Sequence, residues 1–207
     1  MNNTRTRNEI VSLAASLFAR GYSVGSAGNI SVRVPDGYLM TPTDSSLGRL
    51  EASQLSLLDG DWNLIEGDPP SKEVVMHRAM YEARPAAGAV VHLHSTFVTA
   101  LSCLADSDGP LIRPLTPYFV MRLGESIPLV PYFPPGSAEV KPAILDAAAG
   151  SAAVILRNHG SLVSASTLVD AVNTSEELEV SAQLELLLGG RDARPLNASE
   201  VNELIKK

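Results

Sequence analysis

The chain reads as one α/β domain, and three observations predict it. Segments with helical periodicity alternate with short β-branched runs along the 207 residues. Hydrophobic residues make up 45% of the chain, enough for a substantial core and too many for a disordered polymer. No internal repeat, low-complexity tract or Pro/Gly-rich linker divides residues 1–207.

The first helix carries Ile10, Leu13, Ala14, Leu17 and Phe18 on one stripe. Thr6-Arg7-Asn8-Glu9 has capping-box spacing before it, and Gly21 ends it. After the small-residue loop Gly25-Ser26-Ala27-Gly28-Asn29, Ile30, Val32 and Val34 alternate as a strand, turned by Pro35-Asp36-Gly37 into Tyr38-Leu39-Met40. A second hairpin is expected over 55–65, around Asp59-Gly60-Asp61. Ser71 is placed to cap a helix over 72–83, ended by Arg84-Pro85. A strand over 89–93 and a helix near 96–104 follow, then a Pro-rich stretch, 110–135, read as short strands and turns including Leu129-Val130. Helices over 138–149 and 167–188 flank a buried strand at 152–156, which leads into Asn158-His159-Gly160; Gly189-Gly190 stops the long helix. Asn197-Ala198-Ser199-Glu200 caps a short terminal helix.

A net charge of −7 argues against nucleic acid or an anionic membrane as the main partner, but leaves a phosphorylated small molecule open. Cys103 is the single cysteine, so no internal disulfide can form and a reducing compartment is expected. Its apolar neighbours at 97–104 suggest a buried, inert thiol. Residues 1–5 lead into an amphipathic helix rather than a signal sequence, and no apolar run approaches the roughly 18 residues that span a bilayer. The expectation is a soluble cytoplasmic protein.

Three of the four histidines fall in Val90-Val91-His92-Leu93-His94-Ser95 and Asn158-His159-Gly160. On a strand, His92 and His94 project from one face and Val91 and Leu93 from the other. Two readings follow: strand-end imidazoles satisfied by hydrogen bonds, or a facial set that His159 completes around a zinc ion with an open position. Glu73 is either a helix-start carboxylate or a metal ligand and general acid/base. His77, one helical turn further on, reads as a core or supporting residue rather than a ligand. The Gly25–Asn29 loop, Thr41-Pro42-Thr43-Asp44-Ser45-Ser46 and Pro70-Ser71-Lys72 offer amides, hydroxyls and an ammonium, the parts of a phosphate site, without a nucleotide-binding motif. Tyr118 reads as a packing residue of the Pro-rich connection, and Asp170, Glu176, Glu177 and Glu179 as the solvated face of the long helix.

Taken together, these residues resemble the class II aldolase/adducin family. The matching runs are Ser26-Ala27-Gly28-Asn29-Ile30-Ser31-Val32-Arg33, Leu39-Met40-Thr41-Pro42-Thr43, Ser71-Lys72-Glu73, Ala89-Val90-Val91-His92-Leu93-His94 and Asn158-His159-Gly160. The resemblance covers nearly the whole chain. It implies an α/β/α sandwich around a largely antiparallel sheet, commonly assembled as a homotetramer with active sites between subunits. It also implies one zinc ion per subunit on His92, His94 and His159, with Glu73 as ligand and acid/base, and a phosphate pocket on Gly28, Asn29, Thr43, Ser71 and Lys72. The family holds sugar-phosphate aldolases, epimerases, decarboxylases and non-catalytic adducin heads. Asp44 and Lys72 replace the Gly and Ser of the fuculose-phosphate aldolase pattern. With Leu115-Thr116-Pro117-Tyr118-Phe119-Val120-Met121, they look more like the 3-oxo-tetronate 4-phosphate decarboxylases. The implied reaction is loss of CO2 from that β-keto acid, through a metal-stabilised enediolate, to give dihydroxyacetone phosphate. Asp44 and Lys72 then join the substrate-binding set, Lys72 facing either the carboxylate or the phosphate, and Tyr118 is a proton donor or substrate contact. The alternatives are an aldolase or epimerase on the same zinc site, or an adducin-like binding module.

Overall fold

The computed structural model describes residues 3–105 and 109–205. One eight-stranded sheet organises them: β1 (Asn29–Val34), β2 (Gly37–Met40), β3 (Ser56–Leu58), β4 (Leu64–Glu66), β5 (Ala89–Leu93), β6 (Leu129–Val130), β7 (Ala153–Leu156) and β8 (Gly160–Ala165). The spatial order is β4-β3-β2-β1-β5-β8-β7-β6. Among the described residues β6 and β7 run parallel and the other neighbours antiparallel.

Period-two alternation sorts side chains between two helical layers. Ala89, Val91 and Leu93 of β5 pack with α1 (Thr4–Ala19) and the start of α6 (Leu168–Leu188). Val90 points the other way, into a cluster with α2 (Val74–Ala83) and α5 (Val140–Ala148). A third cluster packs α3 (Thr96–Ser102), α4 (Pro117–Leu123), the rest of α6 and α7 (Ala198–Ile205) on the α1 side, against Ala153, Ile155 and Val163. The result is the expected α/β/α sandwich around a largely antiparallel sheet. His92 and His94 share parity with Val90, so they face the α2/α5 layer.

Several local expectations need correction. Helix α1 already starts at Thr4, so Thr6 and Glu9 lie inside it and form no capping box. Helix α2 starts at Val74 rather than 72, with Glu73 at the N-cap position, while Ser71 Oγ accepts from the Glu73 amide at 3.3 Å. The Pro-rich stretch contains α4: Thr116 Oγ1 accepts from the Phe119 amide and Pro117 takes the first helical position, where its missing N–H costs nothing. Strand β8 follows the loop at His159 directly. Its serines hid it from the sequence reading, yet Ser161 and Ser164 are buried. Cys103 is exposed rather than buried, because α3 ends at Ser102 and the chain leaves the core there. Glu179, expected on a solvated face, is buried. The terminal capping box does form, with Asn197 Oδ1 and Glu200 Oε2 accepting reciprocally.

Candidate metal centre

Four side chains from distant parts of the chain converge on the α2/α5 side of the sheet. His92 Nε2 lies 2.9 Å from His94 Nε2 and 3.3 Å from Glu73 Oε2. His159 Nε2 lies 3.2 Å from Glu73 Oε1. The four ligating atoms fall within 4.8 Å of one another.

Local structure explains each placement. His92 sits on the central strand, where β1 and β8 pair on both sides of β5. His94 follows one residue past the strand end. His159 occupies the three-residue turn between β7 and β8, which Asn158 closes in the left-handed region at φ 54°. The next residue has to be glycine: a Cβ on Gly160 would come within 2.2 Å of the Leu93 carbonyl oxygen. Glu73 is delivered by the turn Ser71-Lys72-Glu73, whose Ser71 carbonyl accepts from the Val74 amide.

The donor set fits a metal. His92 Nδ1 lies 2.8 Å from the Ser161 carbonyl oxygen, which can only accept, so Nδ1 carries the proton and Nε2 turns a lone pair inward. His159 Nε2 is buried without a hydrogen-bond partner in the structure, an orphaned atom that a cation would satisfy. Three imidazoles and one carboxylate suit zinc, whose tetrahedral ligands stand roughly 3.3 Å apart at ordinary bond lengths. His92 and His94 are kept in the ligating, neutral form. Burial pushes the His92 pKa down to about 3, overriding the attraction of Glu73, and lowers that of His94 as well. Burial alone would raise the Glu73 pKa, but His159, the charge of His92 and the Asn29 hydrogen bond outweigh it and hold the carboxyl well below the usual range.

The cluster opens into a cleft of about 270 Å³. Gly28, Asn29, Thr43, Asp44, Ser71 and Lys72, the six residues read as substrate-binding, all line it together with Glu73 and His94. The Thr43 amide donates to the Pro69 carbonyl and the Ser71 amide to the Thr41 carbonyl, so the two loops are tied edge to edge. Gly28 adopts φ 81°, and a Cβ there would meet the His92 carbonyl oxygen at 2.9 Å. Asp44 takes φ 54°, and its carboxylate lies 4.0 Å from the exposed Lys72 ammonium. The Asn29 side chain is already engaged, donating from Nδ2 to Glu73 Oε2 at 2.7 Å. Tyr118 is not part of this cleft. It stands 63% exposed on α4, beside a shallow depression with Tyr22, Arg122 and Glu177.

Two supporting residues escaped the sequence reading. Glu179 of α6 accepts from Ser95 Oγ and from the amides of Phe97 and Val98, anchoring the segment directly after His94. Arg7 of α1 donates to the carbonyls of Ala52 and Leu55 and pins the loop before β3. Neither has a local signal, since the partners lie 45 to 84 residues away.

Fold and centre define a class: a largely antiparallel α/β/α sandwich with a three-histidine, one-carboxylate candidate metal centre opening into a polar cleft. The sequence model of the class II aldolase and adducin N-terminal domain matches residues 8–186, and the chain belongs to that family. A 3-oxo-tetronate 4-phosphate decarboxylase of Escherichia coli (strain K12) is 48% identical over 200 residues, covering 96% of this chain and 94% of that protein. The crystal structure of YgbL from Escherichia coli superimposes with a TM-score of 0.93 at 46% identity, covering 98% of each chain. An L-fuculose phosphate aldolase of Escherichia coli (strain K12) is 35% identical over 187 residues, 90% of this chain and 85% of that one.

Proposed function

We propose that this chain is a zinc-dependent carboxy-lyase that converts 3-oxo-tetronate 4-phosphate to dihydroxyacetone phosphate and CO2. The observation that carries the reading is the orphaned imidazole and carboxylate set at the floor of a cleft whose rim presents Lys72 and two amide- and hydroxyl-bearing loops. The near full-length relatives named for this reaction support it. His92, His94 and His159, joined by Glu73 in the substrate-free site, would hold a zinc ion, which would supply Lewis acidity at the substrate's ketone oxygen.

The chain's own residues do the rest. The loops carrying Gly28, Asn29, Thr43 and Ser71 cradle the phosphate, with the Thr43 and Ser71 hydroxyls as donors. Lys72, with Asp44 beside it, sets a cation against the substrate's anionic groups. As the bond to the carboxylate breaks, its electron pair moves onto the adjacent carbon and ketone, and CO2 leaves. Glu73 Oε1 takes up a proton from solvent and passes it to that carbon, while Oε2 stays anchored to Asn29.

The exposed apolar side chains of Tyr118 and Met121 on α4 suit burial against another copy of the chain, as in a homotetramer. Tyr118 then serves as proton donor or substrate contact in a neighbouring copy's cleft. No helix among the described residues is long and apolar enough to cross a membrane, and with a lone cysteine this favours the cytoplasm.

Zinc-loaded protein incubated with 3-oxo-tetronate 4-phosphate should release CO2 and dihydroxyacetone phosphate in equal amounts. Absence of CO2 sinks the reading. The aldolase alternative draws on the fuculose-phosphate relative and predicts aldehyde-dependent consumption of dihydroxyacetone phosphate instead. Protein unable to take up any metal would favour the binding module.

A further inference from the structure

We propose that His77 is a positioning residue that aims Glu73 through Asn29, touching neither metal nor substrate. This rests on the reading of Glu73 as the acid/base. His77 lies on α2, fully buried, one helical turn past Glu73. Its Nε2 is 2.5 Å from Asn29 Oδ1, and Asn29 Nδ2 is 2.7 Å from Glu73 Oε2. On the far side, His77 Nδ1 is 2.7 Å from Ser31 Oγ, and the Tyr81 hydroxyl donates to the Ser31 carbonyl at 3.1 Å. One buried chain of hydrogen bonds therefore runs from the carboxylate at the metal centre to the end of α2.

Donor and acceptor rules give this chain a single direction. An ionised carboxylate only accepts, so Asn29 must turn its NH2 toward Glu73. Its oxygen then faces His77, and the nitrogen at 2.5 Å must carry a proton. Nδ1 is left with a lone pair, which Ser31 Oγ satisfies as donor. Burial keeps the ring neutral by pushing its pKa down to about 4, so the two nitrogens stay chemically distinct. The purpose is orientation. A carboxamide held only by Glu73 could flip and set its oxygen against the carboxylate. With His77 locked as an Nε2–H donor, a flip would also set N–H against N–H. Asn29 thus anchors Oε2 and leaves Oε1 to exchange the proton.

The wild-type zinc-loaded protein tests the assignment without any variant. Nitrogen-15 spectra of labelled histidine should show His77 as the neutral Nε2–H tautomer. An Nδ1–H tautomer or an imidazolium overturns the proposal, whichever substrate the enzyme uses. The functional arm is a double-mutant cycle. His77→Leu should lower kcat about 10- to 100-fold with KM little changed. It should add almost nothing in an Asn29→Ala background. His77→Gln, whose amide N–H can reach the place of Nε2, should recover most of the loss. Additive losses, or His77→Gln as slow as His77→Leu with an unchanged melting temperature, overturn the proposal. An inactive wild type would instead count against the proposed substrate, with the tautomer still readable.

Discussion

Two buried glutamates, Glu73 on one side of the sheet and Glu179 on the other, have nearly equal exposure and opposite surroundings. Glu179 accepts three hydrogen bonds from neutral donors, Ser95 Oγ and the amides of Phe97 and Val98. Those amides belong to the start of α3, where backbone N–H groups have no helical partner, so the carboxylate fills a vacancy that the helix itself creates. Glu73 accepts one neutral bond, from Asn29, and its oxygens otherwise face imidazole nitrogens, one of them an orphan. The satisfied carboxylate holds a segment in place, and the under-satisfied one is the carboxylate proposed to take a cation and a proton. Burial alone does not separate the two; unmet hydrogen-bonding capacity does.

The comparison breaks most sharply at the metal. A strong chelator should abolish turnover and lower the melting temperature, and added zinc should restore both; activity that survives complete metal removal, confirmed by metal analysis, would contradict the centre. Next in size, Glu73→Gln should cut kcat at least about 100-fold while leaving the melting curve near wild type. Glu179→Leu should do the reverse. Three stranded donors cost at least about 3 kcal/mol, or roughly 6 to 12 °C in melting temperature, with kcat far less affected than by Glu73→Gln. Equal effects of the two substitutions on activity would erase the distinction.

Acid should also separate the two corners. His77 and His92 have folded pKa values pushed below the ordinary 6.5, so their contribution to stability is full above pH 6.5 and is lost as pH falls toward 4. At pH 5 the metal-free protein should have lost on the order of 2 kcal/mol per buried imidazole. A melting temperature unchanged between pH 7 and pH 5 would contradict this. The smallest effect is expected at the cleft rim, where Lys72→Ser should lower kcat/KM by about tenfold, the size of one charged contact.

Much of this was legible before folding. Period-two alternation placed His92 and His94 on one face, and the small-residue and hydroxyl loops marked the cleft. Features carried by long-range pairing left no such trace. Glu179 looks like any charge on an amphipathic helix until α3, some 80 residues away, brings its unpaired amides to it. Helix α4 hid behind prolines, although Thr116-Pro117 is a sound helix start. Strand β8 hid because its buried serines break the apolar pattern.

By itself the sequence determined the α/β class and the residue types of the centre, because periodicity and turn chemistry act over a few residues, while the sandwich layers followed only from the family resemblance. Tertiary structure alone decided which nitrogens are orphaned, that Asn29 serves Glu73 and His77, and that Tyr118 lies outside its own chain's cleft. Those are questions of direction and distance between atoms far apart in the chain. Only packing of both helical layers onto the sheet answers them.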